Sequence, residues 1–105
     1  MTTFQENLAG LPGIDGIARI ELNTKDGSLA AIIENKPGSQ GSLRVYRYLA
    51  DKYAAITPAA AQEGLQLYAE HTADARANPG KHPNIDRLLD LIAHDASLTA
   101  HVITG

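Results

Sequence analysis

The chain contains 105 residues with a formal net charge of −3, and 44% of its residues are hydrophobic. This hydrophobic fraction is typical of globular proteins, and the length suits one domain with a modest core, which we expect to span residues 1–105. The acidic balance gives no support to a nucleic-acid partner, because proteins that bind nucleic acids usually present a basic face. The absence of cysteine excludes disulfides, thiolate zinc sites and a cysteine nucleophile.

The N-terminal segment does not resemble a secretory signal peptide, because residues 1–7 contain no basic side chain and no long apolar run. No apolar stretch approaches the roughly 20 residues needed to span a bilayer. The absence of cysteine also fits a reducing compartment. We therefore expect a cytoplasmic protein that has no membrane partner.

The first third of the chain is predicted to form a short helix and a β-hairpin. Thr3 and Glu6 have the spacing of a capping box, which predicts a helix that starts here. Residues 17–23 alternate between apolar and polar side chains, as a half-buried strand does. The following turn ends at Gly27, which can adopt the positive φ of a bulged hairpin. Residues 29–34 form the return strand, and we expect it to be the more buried of the two because its apolar run covers both faces.

The remainder is predicted to be helical, with one closing strand. Ser42 is a suitable N-cap for an amphipathic helix. A threonine cap and Pro58 start the longest predicted helix, whose solvent face includes Glu63. Another helix begins near Asn84, and residues 98–104 alternate as a strand does. The core stripe of the longest helix is predicted to be Ala61, Leu65, Tyr68, Thr72 and Ala75.

These elements predict an α+β fold. A β-hairpin, to which the C-terminal strand can add a third antiparallel strand, packs against three main helices and a short N-terminal helix. A sheet of two or three strands has open edges, and few charges guard residues 29–33. Because closed two-fold pairing is the commonest solution for such edges, we expect a homodimer.

Three segments resemble a known family when they are taken together. They are residues 35–43 (Asn-Lys-Pro-Gly-Ser-Gln-Gly-Ser-Leu), residues 67–72 (Leu-Tyr-Ala-Glu-His-Thr) and residues 78–86 (Asn-Pro-Gly-Lys-His-Pro-Asn-Ile-Asp). The chain resembles a family of short bacterial proteins that is catalogued as a domain of unknown function, the one numbered 2322. The resemblance covers essentially the whole chain and implies a single-domain bacterial protein. It implies no activity, so no functional residue is transferred from it.

The loop at residues 35–44 is the first candidate site. Its glycines can bring backbone N–H groups close to an oxyanion at a helix N-terminus, and basic side chains in this loop and in the loop at 78–86 add positive charge. The loop has neither the Gly-Lys-Ser/Thr end of a P-loop nor the three glycines of the dinucleotide-binding pattern. The structural alternative is an ordinary connection between a strand and a helix. The candidate ligand-binding residues are Lys36, Gly38, Gly41, Ser42, Arg44, Lys81 and His82.

A weaker candidate is a metal site formed by His71, Asp74 and His82, with Asp86 nearby. His71 and Asp74 are three residues apart on one predicted helix, so both can reach one point. Their spacing matches no known ligand signature, and His71 also suits a half-buried structural position. We therefore expect no metal and no cofactor. No Gly-x-Ser-x-Gly motif is present, so no catalytic residue is assigned.

The leading functional hypothesis is a small non-enzymatic binding or interaction module, with an unidentified protein or small anion as its partner. The alternative is a binder of a small phosphate-like anion, or an enzyme that acts on one, centred on the loop at 35–44. If Lys36, Arg44, Lys81 and His82 cluster in one pocket, the alternative is favoured. If they lie on separate surfaces, the module is favoured.

Overall fold

A computed structural model describes residues 2–105, and it confirms the α+β fold. The elements in chain order are α1 Phe4–Ala9, β1 Ile17–Asn23, β2 Leu29–Glu34, α2 Gln40–Tyr53, α3 Pro58–Tyr68, α4 Glu70–Ala77, α5 Pro83–Ala93 and β3 Thr99–Thr104. The strands form one antiparallel sheet in the order β2-β1-β3, and helix α2 packs on β1 and β2. No helix in the described part of the chain is long and apolar enough to cross a membrane.

The local signals near the N-terminus are confirmed. Thr3 and Glu6 form the predicted capping box at the start of α1. The hairpin turn is closed by a hydrogen bond of 2.9 Å from the N–H of Gly27 to the carbonyl oxygen of Thr24, and Gly27 has a φ of +91°. The pairing of β1 with β2 shifts register at Leu22, as a bulged hairpin does.

The predicted burial order of the two hairpin strands is wrong. β1 is the central strand, and its side chains Ile20 and Leu22 are fully buried. β2 is an edge strand on which only Ile33 is buried, while Leu29 and Ile32 are 56% and 44% exposed. The reason is that β3 pairs with the free side of β1, so β1 and not β2 lies in the middle of the sheet.

Helix α2 starts three residues earlier than predicted, so the assignment of Ser42 as its N-cap is wrong. Ser39 occupies the N-cap position without making a side-chain cap, and its hydroxyl instead donates a 2.6 Å hydrogen bond to the carbonyl oxygen of Glu34. Ser42 lies inside the first turn, where its Oγ accepts a 2.6 Å hydrogen bond from the hydroxyl of Tyr68. Ser42 therefore links α2 to α3.

The longest predicted helix is interrupted. Thr57 caps α3 through a 3.1 Å bond from the N–H of Ala60, as expected, but the chain bends at Ala69 with φ 52° and ψ −116°, and α4 begins after it. Thr72 donates a 2.6 Å hydrogen bond to the carbonyl oxygen of Leu65 across this break. The predicted core stripe is nevertheless buried at all five of its positions.

The helices pack closely around Gly64 of α3. A Cβ atom at this position would lie 2.7 Å from Cδ1 of Leu88 on α5 and 3.0 Å from Cδ1 of Leu49 on α2. Real Cβ atoms do not approach other atoms this closely without displacing them. Gly64 therefore sets the spacing between three helices, and this spacing fixes where the N-termini of α2 and α5 lie.

Candidate functional site

The loops at 35–44 and 78–86 lie beside each other and line one cavity of about 460 Å³. The cavity is bounded by α1, by the first turns of α2 and α5, and by the junction of α3 with α4. It includes predicted site residues from both loops: Gly38, Gly41, Ser42, Lys81 and His82. Sequence reasoning thus identified two of the segments that form the cavity, although they are far apart along the chain.

One wall of the cavity is aromatic and was not predicted from the sequence. Phe4 of α1 stacks on Tyr68 of α3, with ring centroids 5.2 Å apart and ring planes inclined by 15°. The ring of His71 meets Phe4 edge-on at 5.1 Å. Gly41 lets Phe4 approach α2, since a Cβ atom there would lie 3.2 Å from Cζ of Phe4. The sequence signal for this wall is the spacing of Tyr68 and His71, which are three residues apart in the single helix that the pattern predicts.

The polar side of the cavity is organised by Asp74, which itself lies outside the lining. Its Oδ2 accepts a 2.7 Å hydrogen bond from Nε2 of His82 and forms a 3.0 Å ion pair with Nζ of Lys81. The hydrogen bond from His82, followed by that from Lys81, lowers the pKa of Asp74 to about 2. Asp74 is therefore ionised at neutral pH, and it holds both cavity-lining side chains in place.

The predicted metal ligands come only partly together. The rings of His71 and His82 are 5.7 Å apart between centroids, and His82 binds Asp74. Asp86 is engaged separately, because its Oδ2 accepts a 2.9 Å hydrogen bond from the N–H of Gly80. Within residues 2–105, no group of three or more His, Cys, Asp or Glu side chains is arranged to hold a metal ion.

Two of the four predicted cationic residues do not line the cavity. Lys36 forms an exposed ion pair of 3.0 Å with Glu34. Arg44 donates from Nη2 to the carbonyl oxygen of Leu11 at 3.1 Å, and it lines an adjoining depression that shares Gly41 with the cavity. The four charges predicted to gather around one anion therefore do not line one cavity together.

The model of one protein family matches residues 4–102. The description of that family is "Uncharacterized protein conserved in bacteria (DUF2322)". The chain belongs to the DUF2322 family. This confirms the resemblance identified from its three segments. Among curated proteins and solved structures, none matches the chain.

The DUF2322 chain also contains a polar cluster between α2 and α3 that sequence reasoning missed. Glu63 accepts hydrogen bonds of 2.6 Å from the hydroxyls of both Tyr48 and Tyr53, and of 2.9 Å from Nζ of Lys52. The bond from Lys52, then those from the two tyrosines, lower the pKa of Glu63 to about 2. The prediction that Glu63 faces solvent is wrong, because its side chain is only 20% exposed. The sequence signal was the pair Tyr48 and Lys52, four residues apart.

A second missed cluster fixes the start of α5 in the DUF2322 fold. The fully buried Tyr46 donates its hydroxyl to the carbonyl oxygen of Asn84, and Arg87 donates to that hydroxyl at 3.2 Å and to Oδ1 of Asn84 at 2.8 Å. Burial raises the pKa of Tyr46 to about 12, so it stays a neutral donor. This cluster holds the first turn of α5, which includes the cavity-lining Asn84, against α2.

Proposed function

We propose that this protein is a non-enzymatic interaction module that acts as a homodimer, and that the two copies pair through β2. The observation that carries the proposal is the position of Leu29 and Ile32. They are the large hydrophobic residues found exposed in the described part of the chain, and both lie on one open edge strand.

The edge of β2 has few of the features that normally prevent pairing. A free edge presents unpaired backbone N–H and C=O groups, and natural proteins protect such edges with charges, proline or bulges that turn the strand away. Residues 29–33 carry only Leu, Ala and Ile side chains, and the bulge between the Leu22–Ala31 and Asn23–Leu29 pairs lies at the start of the strand. The charge of Glu34 lies at the end of the strand and is paired with Lys36 at 3.0 Å. A second β2 in antiparallel orientation extends the sheet across a two-fold axis, pairs the free backbone groups and brings the exposed side chains of the two copies beside each other.

The other edge, β3, is a less suitable pairing surface. Its exposed positions are Thr99, His101 and Thr104, which are polar. Positions 32 and 101 are directly comparable, because Ile32 of β2 and His101 of β3 both pair with Glu21 of the central strand. The two edges therefore differ in side-chain chemistry at equivalent places in the sheet.

The separation of the basic residues supports a module over the alternative of an anion-dependent enzyme. Lys36 is held by Glu34 and Arg44 by backbone carbonyls, and neither lines the cavity to which Lys81 and His82 contribute. The proposal treats residues 1–105 as one domain, because one set of buried side chains joins the sheet to the helices. It places the protein in the cytoplasm without a nucleic-acid partner, and the absence of cysteine and the net charge of −3 support this.

The test is the oligomeric state in solution, measured by light scattering at micromolar concentration. We expect the wild-type protein to have twice the mass of the 11.2 kDa chain. Ile32→Lys places a charge on the proposed interface and should give a folded monomer, as checked by circular dichroism. His101→Lys is the matched control on the other edge and should remain a dimer. A monomeric wild-type protein, or a dimer that His101→Lys breaks and Ile32→Lys does not, would contradict the proposal.

A further inference from the structure

The cavity between α1, α2 and α5 is independent of the β2 edge and has the dimensions of a ligand site. Its volume of about 460 Å³ falls in the range of about 300–1,000 Å³ that is usual for small-molecule sites. Separate parts of the chain meet around it, and the contacts of Gly64 and Tyr46 described above hold those parts in place.

The charge of the lining is unusual for this chain. The protein has 12 acidic and 9 basic residues, but no Asp or Glu is found among the described residues that line the cavity, whereas Lys81, His71 and His82 are. Two carboxylates contact lining residues from outside the cavity: Asp74 is engaged by His82 and Lys81, and Glu70 accepts a 2.8 Å hydrogen bond from the N–H of Phe4. The cavity therefore excludes carboxylate side chains and presents donors.

Two of the groups that line the cavity, on Lys81 and Ser42, can each donate a further hydrogen bond. The ammonium of Lys81 has three N–H donors, and its side chain is 59% exposed while it contacts Asp74. Ser42 accepts from Tyr68 through Oγ and retains its own hydroxyl proton to donate. A ligand group that only accepts hydrogen bonds, such as a carboxylate, is complementary to this side of the cavity.

The aromatic wall suits a flat ring. Phe4 lines the cavity and is only partly buried, although it stacks on Tyr68 and contacts His71. A planar guest can continue this stack, since aromatic pairs favour offset-stacked and edge-on arrangements. We propose that the cavity binds a small aromatic carboxylate, with its ring against Phe4 and its carboxylate group against Lys81 and Ser42.

The test is a titration of the isotope-labelled protein followed by ¹H–¹⁵N NMR, with three probes. Benzoate supplies both ring and charge, benzamide supplies the ring without charge, and inorganic phosphate supplies charge without the ring. We expect benzoate to give saturable shifts at residues 38–42 and 81–85 in the millimolar range, as befits so small a ligand. Benzamide and phosphate should bind at least about tenfold more weakly, because each lacks one of the two complementary groups.

Two matched variants locate the site. Lys81→Gln removes one charge-assisted hydrogen bond and should weaken benzoate binding by about tenfold. Lys25→Gln removes a lysine from the distant hairpin turn and should leave binding unchanged. Both lysines are exposed, so neither variant is expected to unfold. The absence of saturable shifts with benzoate, equal binding of phosphate, or equal effects of the two variants would overturn the proposal.

Discussion

Ala69 lies at the break between α3 and α4. Replacing it by glycine should stabilise the protein, although an alanine-to-glycine change inside a helix usually destabilises it. The φ of 52° and ψ of −116° at Ala69 lie in a region that glycine adopts readily and that other residues rarely occupy. Strain of this kind costs about 1–3 kcal/mol. Glycine removes the strain, but its greater freedom in the unfolded chain costs about 0.4–1 kcal/mol. We therefore expect Ala69→Gly to stabilise the protein by about 1 kcal/mol.

The matched control is Ala73, which is exposed within α4 and has helical geometry. Ala73→Gly should destabilise the protein by about 1 kcal/mol, the ordinary helix-interior difference between alanine and glycine. In thermal unfolding followed by circular dichroism, about 1 kcal/mol corresponds to about 4–8 °C for a domain of this size. The two variants should therefore move the midpoint in opposite directions.

The result that would refute this reasoning is equally clear. If Ala69→Gly and Ala73→Gly lower the midpoint by the same amount, residue 69 is an ordinary helical position. In that case α3 and α4 form the one continuous helix that the sequence pattern predicts, and the strain inferred from the dihedral angles of Ala69 does not exist.

Three further outcomes are expected. The pKa of Glu63 is lowered from 4.5 to about 2, so its stabilising contribution is complete above about pH 4.5 and is lost as the pH falls towards about 2. In urea unfolding, the wild-type protein should therefore lose more stability between about pH 7 and about pH 2.5 than the Glu63→Gln variant. Equal losses would contradict the prediction. Ser42→Ala leaves the hydroxyl of Tyr68 without its partner and should lower the free energy of unfolding by about 1–3 kcal/mol. Adding Tyr68→Phe should restore part of that stability. A further, additive loss of stability in the double variant would show that the bond is unimportant. Gel-shift assays near physiological salt should detect no tight binding to DNA or RNA, because the net charge is −3; a tight complex that salt dissociates would refute this.

The features that were predicted correctly are those that neighbouring residues determine. The capping box at Thr3 and Glu6, the turn at Gly27 and the core stripe through Tyr68 each depend on spacings of three or four residues along the chain. The burial of β2 was predicted wrongly because it depends on where β3 pairs. The apolar run at 30–33 fits a central strand as well as an unguarded edge, and only the tertiary arrangement distinguishes them.

The candidate site was partly predictable for the same reason. The glycine-containing loop and the loop with Lys81 and His82 could be identified as the starts of helices, and both line the cavity. Arg44 was misplaced because its charge is used to bind the backbone at Leu11, which no spacing in the sequence indicates. The aromatic wall at Phe4 depends on the packing of α1 against other helices, and local patterns carry no information on that packing.

The pairing of β1 with β3 has a consequence for the order in which the chain folds. The hydroxyl of Thr99 reaches the carbonyl oxygen of Asn23 across 76 positions, and helices α2 to α5 lie between these two strands. Closing so long a loop is slow compared with forming a hairpin or a helix. During synthesis β1 and β2 can pair early, but β1 keeps a free edge until β3 emerges from the ribosome. The central strand of the finished sheet is thus an exposed edge in the nascent chain, where it is vulnerable to aggregation.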